Sequence, residues 1–202
     1  MTLKQINSSA ITSALVQDLE TSRQVTGNGV PMLSPTQQEQ ALERLCDPTH
    51  TVLTVNQNLE IGVSSLIPLE VRVTKDYDIC GYDIGSDCSA ENLDRCLRMV
   101  AASLVPLPYV ELKQRLTALM VILAIPKDWS DDVLQLKRDA LASELEKWPA
   151  DVVIEGIEYI KRTCKFMPTL ADFCEYMSWR VQPRYLLMQE LQKNIANRNK
   201  RG

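Results

Sequence analysis

The strongest constraint on this chain is the helical periodicity of its C-terminal half, which is nearly free of glycine and divided by prolines. Between residues 89 and 202 the only glycines are Gly156 and Gly202. Apolar residues recur there every three or four positions, which places them on one face of a helix. The prolines that divide the pattern are Pro106, Pro108, Pro126, Pro149, Pro168 and Pro183. Short helices divided in this way favour a compact orthogonal bundle over a coiled coil.

Capping signals and apolar stripes define the individual helices. Helices are predicted over residues 3–23, 34–46, 89–104 and 108–125, and from Ser130, Pro149, Thr169 and Pro183 onward. Ser34 with Gln37, and Thr169 with Asp172, have the spacing of a capping box. The inward stripes of the two central helices are predicted to be Val133, Leu136, Ala140, Leu141 and Leu145, and then Val152, Val153, Ile157 and Ile160.

Between residues 47 and 87 the helical periodicity gives way to β-branched runs and period-two alternation, which predicts a small β element. Residues 51–55 and 59–63 are rich in β-branched side chains and flank Asn56-Gln57-Asn58, which suggests a hairpin. Residues 69–74 alternate with period two, as a half-buried strand does. The predicted fold is therefore mainly α, with two or three strands in the N-terminal half. The expected segments are 1–47 (helical), 48–88 (β-containing) and 89–202 (the C-terminal helical domain).

Composition favours a cytoplasmic protein. The longest apolar run, residues 116–125, falls short of the roughly 18 residues needed to cross a bilayer. The first residues lack the features of a signal peptide, so no membrane partner is expected. The cysteines are spread along the chain, which is typical of reduced, buried thiols. They are Cys46, Cys80, Cys88, Cys96, Cys164 and Cys174.

Charge is divided unevenly along the chain. From residue 161 onward nine basic and three acidic residues give +6, whereas residues 1–160 carry −10. Such a division bears on the choice of partner. The candidate partner- or nucleic-acid-binding residues in the basic part are Arg180, Arg184, Tyr185, Lys193, Arg198, Lys200 and Arg201. Aromatic residues interleave with these cations, as stacking on single-stranded DNA requires. The alternative is a solvated helix end whose cations favour the helix dipole.

The sequence offers little catalytic or metal-binding chemistry. His50 is the only histidine, and no phosphate loop, nucleophile elbow or dinucleotide fingerprint is present. Residues 76–87 resemble a calcium loop in part, but Cys80 stands at an oxygen-ligand position. An acidic turn at the end of the β segment is therefore favoured. Cys80, Cys88 and Cys96 lack the paired spacing of a zinc site. We expect no catalytic residue, metal or cofactor.

Two segments, residues 148–153 and 165–173, carry a family resemblance. The second reads Lys-Phe-Met-Pro-Thr-Leu-Ala-Asp-Phe. It resembles the Phe-x-Pro-Thr-x-Ala-Glu-Leu turn of phage and prophage replication accessory proteins, including helicase loaders and helicase-loading inhibitors. Asp172 replaces the usual glutamate and Phe173 the usual leucine. The resemblance covers residues 89–191 and implies Phe166 as a core plug, Thr169 as an N-cap and Asp172 as the residue that closes the capping box.

The expected function follows from this resemblance. The leading hypothesis is a non-enzymatic, phage-type DNA replication protein that binds a replicative helicase or a related replication component, with single-stranded DNA as a further candidate ligand. The alternative is a phage-encoded inhibitor that blocks a host defence or transcription complex, with its acidic body acting as a nucleic-acid mimic. An enzyme of unfamiliar type is the third hypothesis. We also expect Trp148, Phe166 and Phe173 to share one core.

Overall fold

A computed structural model describes residues 33–200 and shows a mainly α fold with one small antiparallel sheet, which confirms the predicted fold class. The elements in chain order are α1 (Pro35–Leu45), α2 (Val52–Ser64), β1 (Leu69–Val73), β2 (Ile79–Ile84), α3 (Ala90–Ser103), α4 (Tyr109–Ile122), α5 (Asp131–Leu145), α6 (Ala150–Thr163) and α7 (Leu170–Asn199). The helix predicted over residues 3–23 lies outside the described residues.

Polar side chains cap the helices where the sequence predicted them. Ser34 and Thr169 each form a complete capping box, with Gln37 and Asp172 as the third residues. Ser130 accepts a hydrogen bond from the Val133 N–H at the start of α5. Because the first N–H groups of a helix have no partner within it, these caps fix where each helix begins.

The hairpin predicted between residues 51 and 63 is wrong, because these residues form α2. Thr51 is its N-cap and accepts a hydrogen bond from the Thr54 N–H. Val52, Leu59 and Val63 are buried, and their spacing of seven and four residues is helical. Burial of this face outweighs the β propensity of the local sequence, which is a weak and context-dependent preference.

The sheet consists of β1, which was predicted, and β2, which was expected to be an acidic turn. Leu69 pairs with Ile84 and Val71 with Tyr82, and the register shifts between Arg72 and Val73. Gly81, which would be the turn glycine of a calcium loop, lies within β2. Residues 79–84 are therefore extended, which a calcium loop with its turn at Gly81 is not.

The helix break predicted at Pro183 is wrong, because α7 continues through it for 30 residues. A proline inside a helix removes one hydrogen-bond donor and crowds the preceding turn. Asn56 of α2 forms hydrogen bonds with residues on both sides of Pro183. Its Nδ2 donates to the Arg180 carbonyl at 2.8 Å, and its Oδ1 accepts from Arg184 Nε at 2.6 Å. The Asn56 amide thus bridges residues on both sides of the proline.

One apolar cluster of the core lies among α2, β2, α3 and α7, so the hairpin and the C-terminal helix α7 share apolar contacts. Its buried members are Leu59, Val63, Ile67, Tyr82, Cys88, Leu93, Cys96, Leu97, Val100, Leu187 and Leu191. The described residues belong to one compact unit. The segment boundaries expected after residues 47 and 88 remain predictions. Helices and strands on either side of each boundary pack against one another.

Several predicted core positions prove to be exposed. Trp148 and Phe173 are buried as expected, but Phe166 is 69% exposed and is no core plug. On α5, Val133 is 44% and Leu136 is 72% exposed, whereas Leu141 and Leu145 are buried. The buried face of α5 is instead formed by Leu141, Ala142 and Leu145, all near the end of the helix.

Candidate functional site

Four planar side chains stack on the surface where α6 and α7 meet. Tyr159, Tyr176, Trp179 and Arg180 form this aromatic–arginine cluster. The Tyr159 and Tyr176 ring centroids are 4.1 Å apart with 19° between the planes. The Arg180 guanidinium carbon lies 3.6 Å from the Tyr176 centroid and 4.0 Å from that of Trp179. Trp179 is 61% exposed and Tyr159 41%, so the cluster offers large apolar surface to solvent.

The packing of α6 on α7 positions the cluster. A Cβ at Gly156 would lie 3.1 Å from Met177 Sδ and 3.2 Å from Met177 Cγ, so glycine permits a close approach of the two helices. Tyr159 follows Gly156 by nearly one turn, and Tyr176 precedes Met177 directly. The close approach therefore brings the two tyrosine rings together at the rim of the helix pair.

Glu155 of α6 contacts two residues of the cluster and the first turn of α2. Its Oε1 accepts a hydrogen bond from the Tyr176 hydroxyl at 2.7 Å and lies 3.4 Å from Arg180 Nε. Its Oε2 accepts from the Val52 N–H at 2.9 Å, which ties the first turn of α2 to the same carboxylate. Burial, followed by the hydrogen bond and charge of Glu155, raises the pKa of Tyr176 to about 12. The phenol therefore remains a neutral donor over the physiological pH range.

A cleft of about 420 Å³ opens beside the cluster. The charged residues that line it are Asp172, Glu175 and Arg180. Asp172 is already engaged with Thr169 in the capping box, and Arg180 faces Glu155. The cleft is therefore not electropositive, whereas a channel for a nucleic-acid backbone needs an excess of cations.

Arg184, predicted to contact a partner, is fully buried, and that assignment is corrected. Its guanidinium makes a two-point ion pair with Asp151 of α6, with distances of 2.9 Å from Nη1 to Oδ1 and 2.5 Å from Nη2 to Oδ2. Nη1 also donates to the Ser103 carbonyl at 2.6 Å, and Nε to Asn56. We call Asn56, Ser103, Asp151 and Arg184 the buried polar node. It joins α2, α3, α6 and α7 and leaves the arginine with no contact to solvent.

The other predicted contact residues differ in how exposed they are and in whether contacts within the protein already engage them. Arg180 lies in the cluster, and Tyr185 is half-buried, with burial raising its pKa to about 12. At the end of α7, Lys193 is exposed but lies 3.2 Å from Glu190, and Arg198 donates to the Ser86 carbonyl at 2.9 Å. Lys200 is exposed, and Arg201 lies outside the described residues. Contacts within the protein thus engage two of the cations of the basic end.

The cysteines and acidic residues form no metal-binding cluster within residues 33–200. All six cysteines are unpaired thiols, and burial raises the pKa of Cys96 to about 11. A thiol held protonated in this way is a poor nucleophile and a poor metal ligand.

Glu155, Asp151 and Tyr159 are the central residues that sequence reasoning did not single out. Asp151 stands in the first turn of α6, where an acid has an ordinary helix-dipole explanation. The i, i+4 spacing of Asp151, Glu155 and Tyr159 places them along one face of α6. This spacing is the sequence pattern that could have identified the three residues as a group.

Comparisons with protein-family models, with curated protein sequences and with solved structures find no match to this chain. No helix within residues 33–200 is long and apolar enough to cross a membrane.

Proposed function

We propose that this chain is a binding protein that docks on a protein partner through the aromatic–arginine cluster. The observation that carries the proposal is the exposed, stacked arrangement of Tyr159, Tyr176, Trp179 and Arg180 on one edge of the α6–α7 pair. Tryptophan, tyrosine and arginine are the residues that most often dominate the binding energy of protein interfaces.

The cluster is also ordered before any partner arrives. Glu155 fixes Tyr176 and Arg180 through a hydrogen bond of 2.7 Å and an ion pair of 3.4 Å. Side chains that are already held in place lose less conformational entropy on binding, which favours affinity. The aromatic faces supply apolar area, and Arg180 supplies a planar donor at its centre.

A protein partner fits this surface better than a nucleic acid does. The cleft beside the cluster carries Asp172 and Glu175, and Glu155 balances the charge of Arg180. A phosphate backbone would meet these carboxylates without compensating cations. Contact with single-stranded DNA is therefore the second candidate, favoured by the exposed Trp179 ring and by the exposed Lys193 and Lys200 along the same helix.

The partner class follows from the resemblance of residues 165–173 to helicase loaders and loading inhibitors. A subunit of a replicative helicase is the partner we propose. A defence or transcription complex is the alternative, and capture experiments separate the two.

Affinity capture with wild-type protein and with Trp179→Ala tests the proposal. Leu136→Ala is the matched control, because Leu136 is 72% exposed and lies on α5, which supplies no residue of the cluster. Truncation of a central interface tryptophan costs about 2 kcal/mol or more, which is on the order of thirtyfold in affinity. We expect a helicase subunit to be captured by wild type and by Leu136→Ala, and to be lost with Trp179→Ala.

Equal recovery by all three proteins would show that the cluster is not the interface. Recovery of polymerase or surveillance subunits would favour the inhibitor alternative. Binding of an oligothymidylate that depends on Trp179 and falls steeply with salt would instead favour single-stranded DNA as the ligand.

A further inference from the structure

A second surface, distant in sequence from the cluster, is a groove between α1, α2 and α3 with a volume of about 440 Å³. Its floor is apolar and comprises Ala41, Leu45, Leu59 and Met99. The first three of these are less than 10% exposed, so the groove reaches down to the core. We call it the α1–α3 groove.

Arginines stand along the rim of this groove. Arg44 comes from the last turn of α1, and Arg95 and Arg98 from α3. No aspartate or glutamate is among the residues that line the groove within the described part of the chain. The lining therefore carries +3 with His50 neutral, in contrast to the −10 of residues 1–160 as a whole.

Two of the rim arginines have no ion pair with another residue in the range 33–200. Arg98 pairs with Asp94 at 2.6 Å, whereas Arg44 and Arg95 have no such partner. Arg95 and Arg98 are one helical turn apart on α3 and are both exposed. Because Arg98 is already paired, Arg44 on α1 and Arg95 on α3 are the rim cations that remain for carboxylates of a bound helix.

We infer that the α1–α3 groove binds an acidic amphipathic helix of a protein partner. The apolar face of such a helix would lie on Ala41, Leu59 and Met99, and its flanking carboxylates would pair with Arg44 and Arg95. The binding of an amphipathic helix in an apolar groove between helices is a common mode of peptide recognition.

Charge complementarity decides the occupant. An amphipathic helix with lysines on its flanks would meet the rim arginines as like charges, and such juxtaposition lowers affinity. This surface is separate from the aromatic–arginine cluster, so one partner can occupy each, or a single partner can span both. The inference does not depend on the function proposed for the cluster.

The test uses fluorescence anisotropy of a labelled peptide helix of about four turns, with leucines on one face and glutamates on its flanks. A second peptide carries lysines at the glutamate positions. The protein is the full chain, as wild type, Arg95→Glu, and Lys75→Glu as the matched control. Lys75 is exposed in the turn between β1 and β2, and its reversal changes net charge by the same amount.

We expect wild type to bind the glutamate peptide at least about tenfold more tightly than the lysine peptide, with a preference that weakens in high salt. Arg95→Glu should weaken the glutamate peptide about fivefold or more, and Lys75→Glu should leave it within about twofold. Ala102→Met, which adds volume at the lining, should weaken both peptides while the helical circular-dichroism signal is retained.

The inference is overturned if the two peptides bind equally or if neither binds. It is also overturned if Arg95→Glu and Lys75→Glu have the same effect, since this would show attraction to net charge and not to the groove. If Ala102→Met and Arg95→Glu both leave affinity unchanged, the peptide binds elsewhere. Arg95→Gln, which removes the charge without reversing it, should show a smaller loss in the same direction.

Discussion

Arg180 and Arg184 are one turn apart on α7, yet their surroundings differ completely. Arg184 is fully buried in the polar node and holds Asp151 through two hydrogen bonds. Arg180 keeps 21% of its side chain exposed, rests on two aromatic rings and faces Glu155 at 3.4 Å. One arginine therefore serves the fold, while the other belongs to the surface that we propose binds a partner.

The difference follows from which elements surround each side chain. Arg184 lies where α2, α3 and α6 all meet α7, and each of these helices supplies a hydrogen-bond acceptor. Arg180 lies at the edge of the α6–α7 pair, where solvent screens its charge. A buried ion pair is strongly destabilising when one partner is removed, whereas a partly exposed pair contributes little. The same residue type thus has two different energetic roles within one helical turn.

Asp151→Ala should have the largest effect on stability, because it leaves the Arg184 charge buried with only neutral acceptors. We expect a loss of about 3–5 kcal/mol in the free energy of unfolding, measured by chemical denaturation. Asp139→Ala is the matched control. Asp139 is one-third exposed and pairs with Lys113 at 2.9 Å, so its removal should cost much less than that of Asp151.

The double variant Asp151→Leu with Arg184→Met sharpens this test. If the cost of Asp151→Ala comes from the unpaired charge, replacing both charges by apolar side chains should recover most of the lost stability. A double variant as unstable as the single one would show that packing around α6, and not the charge, dominates.

Asn56→Ala should have an intermediate effect. The variant removes the acceptor of Arg184 Nε and the donor to the Arg180 carbonyl, which are the contacts on both sides of Pro183. Loss of partners for buried polar groups costs about 1–3 kcal/mol. Asn58→Ala on the same helix is exposed and should stay within about 0.5 kcal/mol of wild type. Equal losses for the two variants would contradict the bridging role of Asn56.

The sequence predicted the parts of the fold that depend on local signals. The capping boxes of Ser34 and Thr169, the strand β1 and the helices of the C-terminal half all follow from spacing within a few residues. The errors arise where tertiary contacts prevail. The α2 segment is rich in β-branched residues, yet it forms a helix because one of its faces is buried. The helix α7 continues through Pro183, next to which Asn56 forms a hydrogen bond.

The candidate site was only partly predictable for the same reason. Arg180 and Arg184 were both predicted as contact residues from their basic and aromatic neighbours in the sequence. The prediction for Arg184 is wrong, because that side chain is buried. Nothing local distinguishes these two residues, because the partner of Arg184 is 33 positions earlier in the chain. Glu155 and Tyr159 were missed since the contacts that give them a role come from α2 and α7.

The titration of Tyr176 provides a smaller, pH-dependent test of the cluster. Its pKa is about 12 in the folded protein against an ordinary value of 10.0, so the unfolded chain ionises first. The stabilisation from this phenol is complete below pH 10 and is lost as pH rises toward 12. Glu155→Gln removes a negative charge beside the hydroxyl and should lower the pKa, while burial keeps it above 10. Tyrosinate absorbance, with Tyr176→Phe as the reference, measures the shift, and an unchanged value would contradict the role given to Glu155.

Arg180→Met should have the smallest effect on stability, although it removes a charge one turn from Arg184. Glu155 retains the Tyr176 hydroxyl at 2.7 Å and the Val52 N–H at 2.9 Å, so its carboxylate is not left without partners. The methionine side chain keeps apolar contact with the Tyr176 and Trp179 rings. We expect a change in the free energy of unfolding of less than about 1 kcal/mol, measured by the same denaturant titration. Its helix content should equal that of wild type, and partner capture should be weakened, since the central donor of the surface is gone. A loss near that of Asp151→Ala would mean that Arg180 stabilises the fold as Arg184 does, and the contrast between the two arginines would not hold.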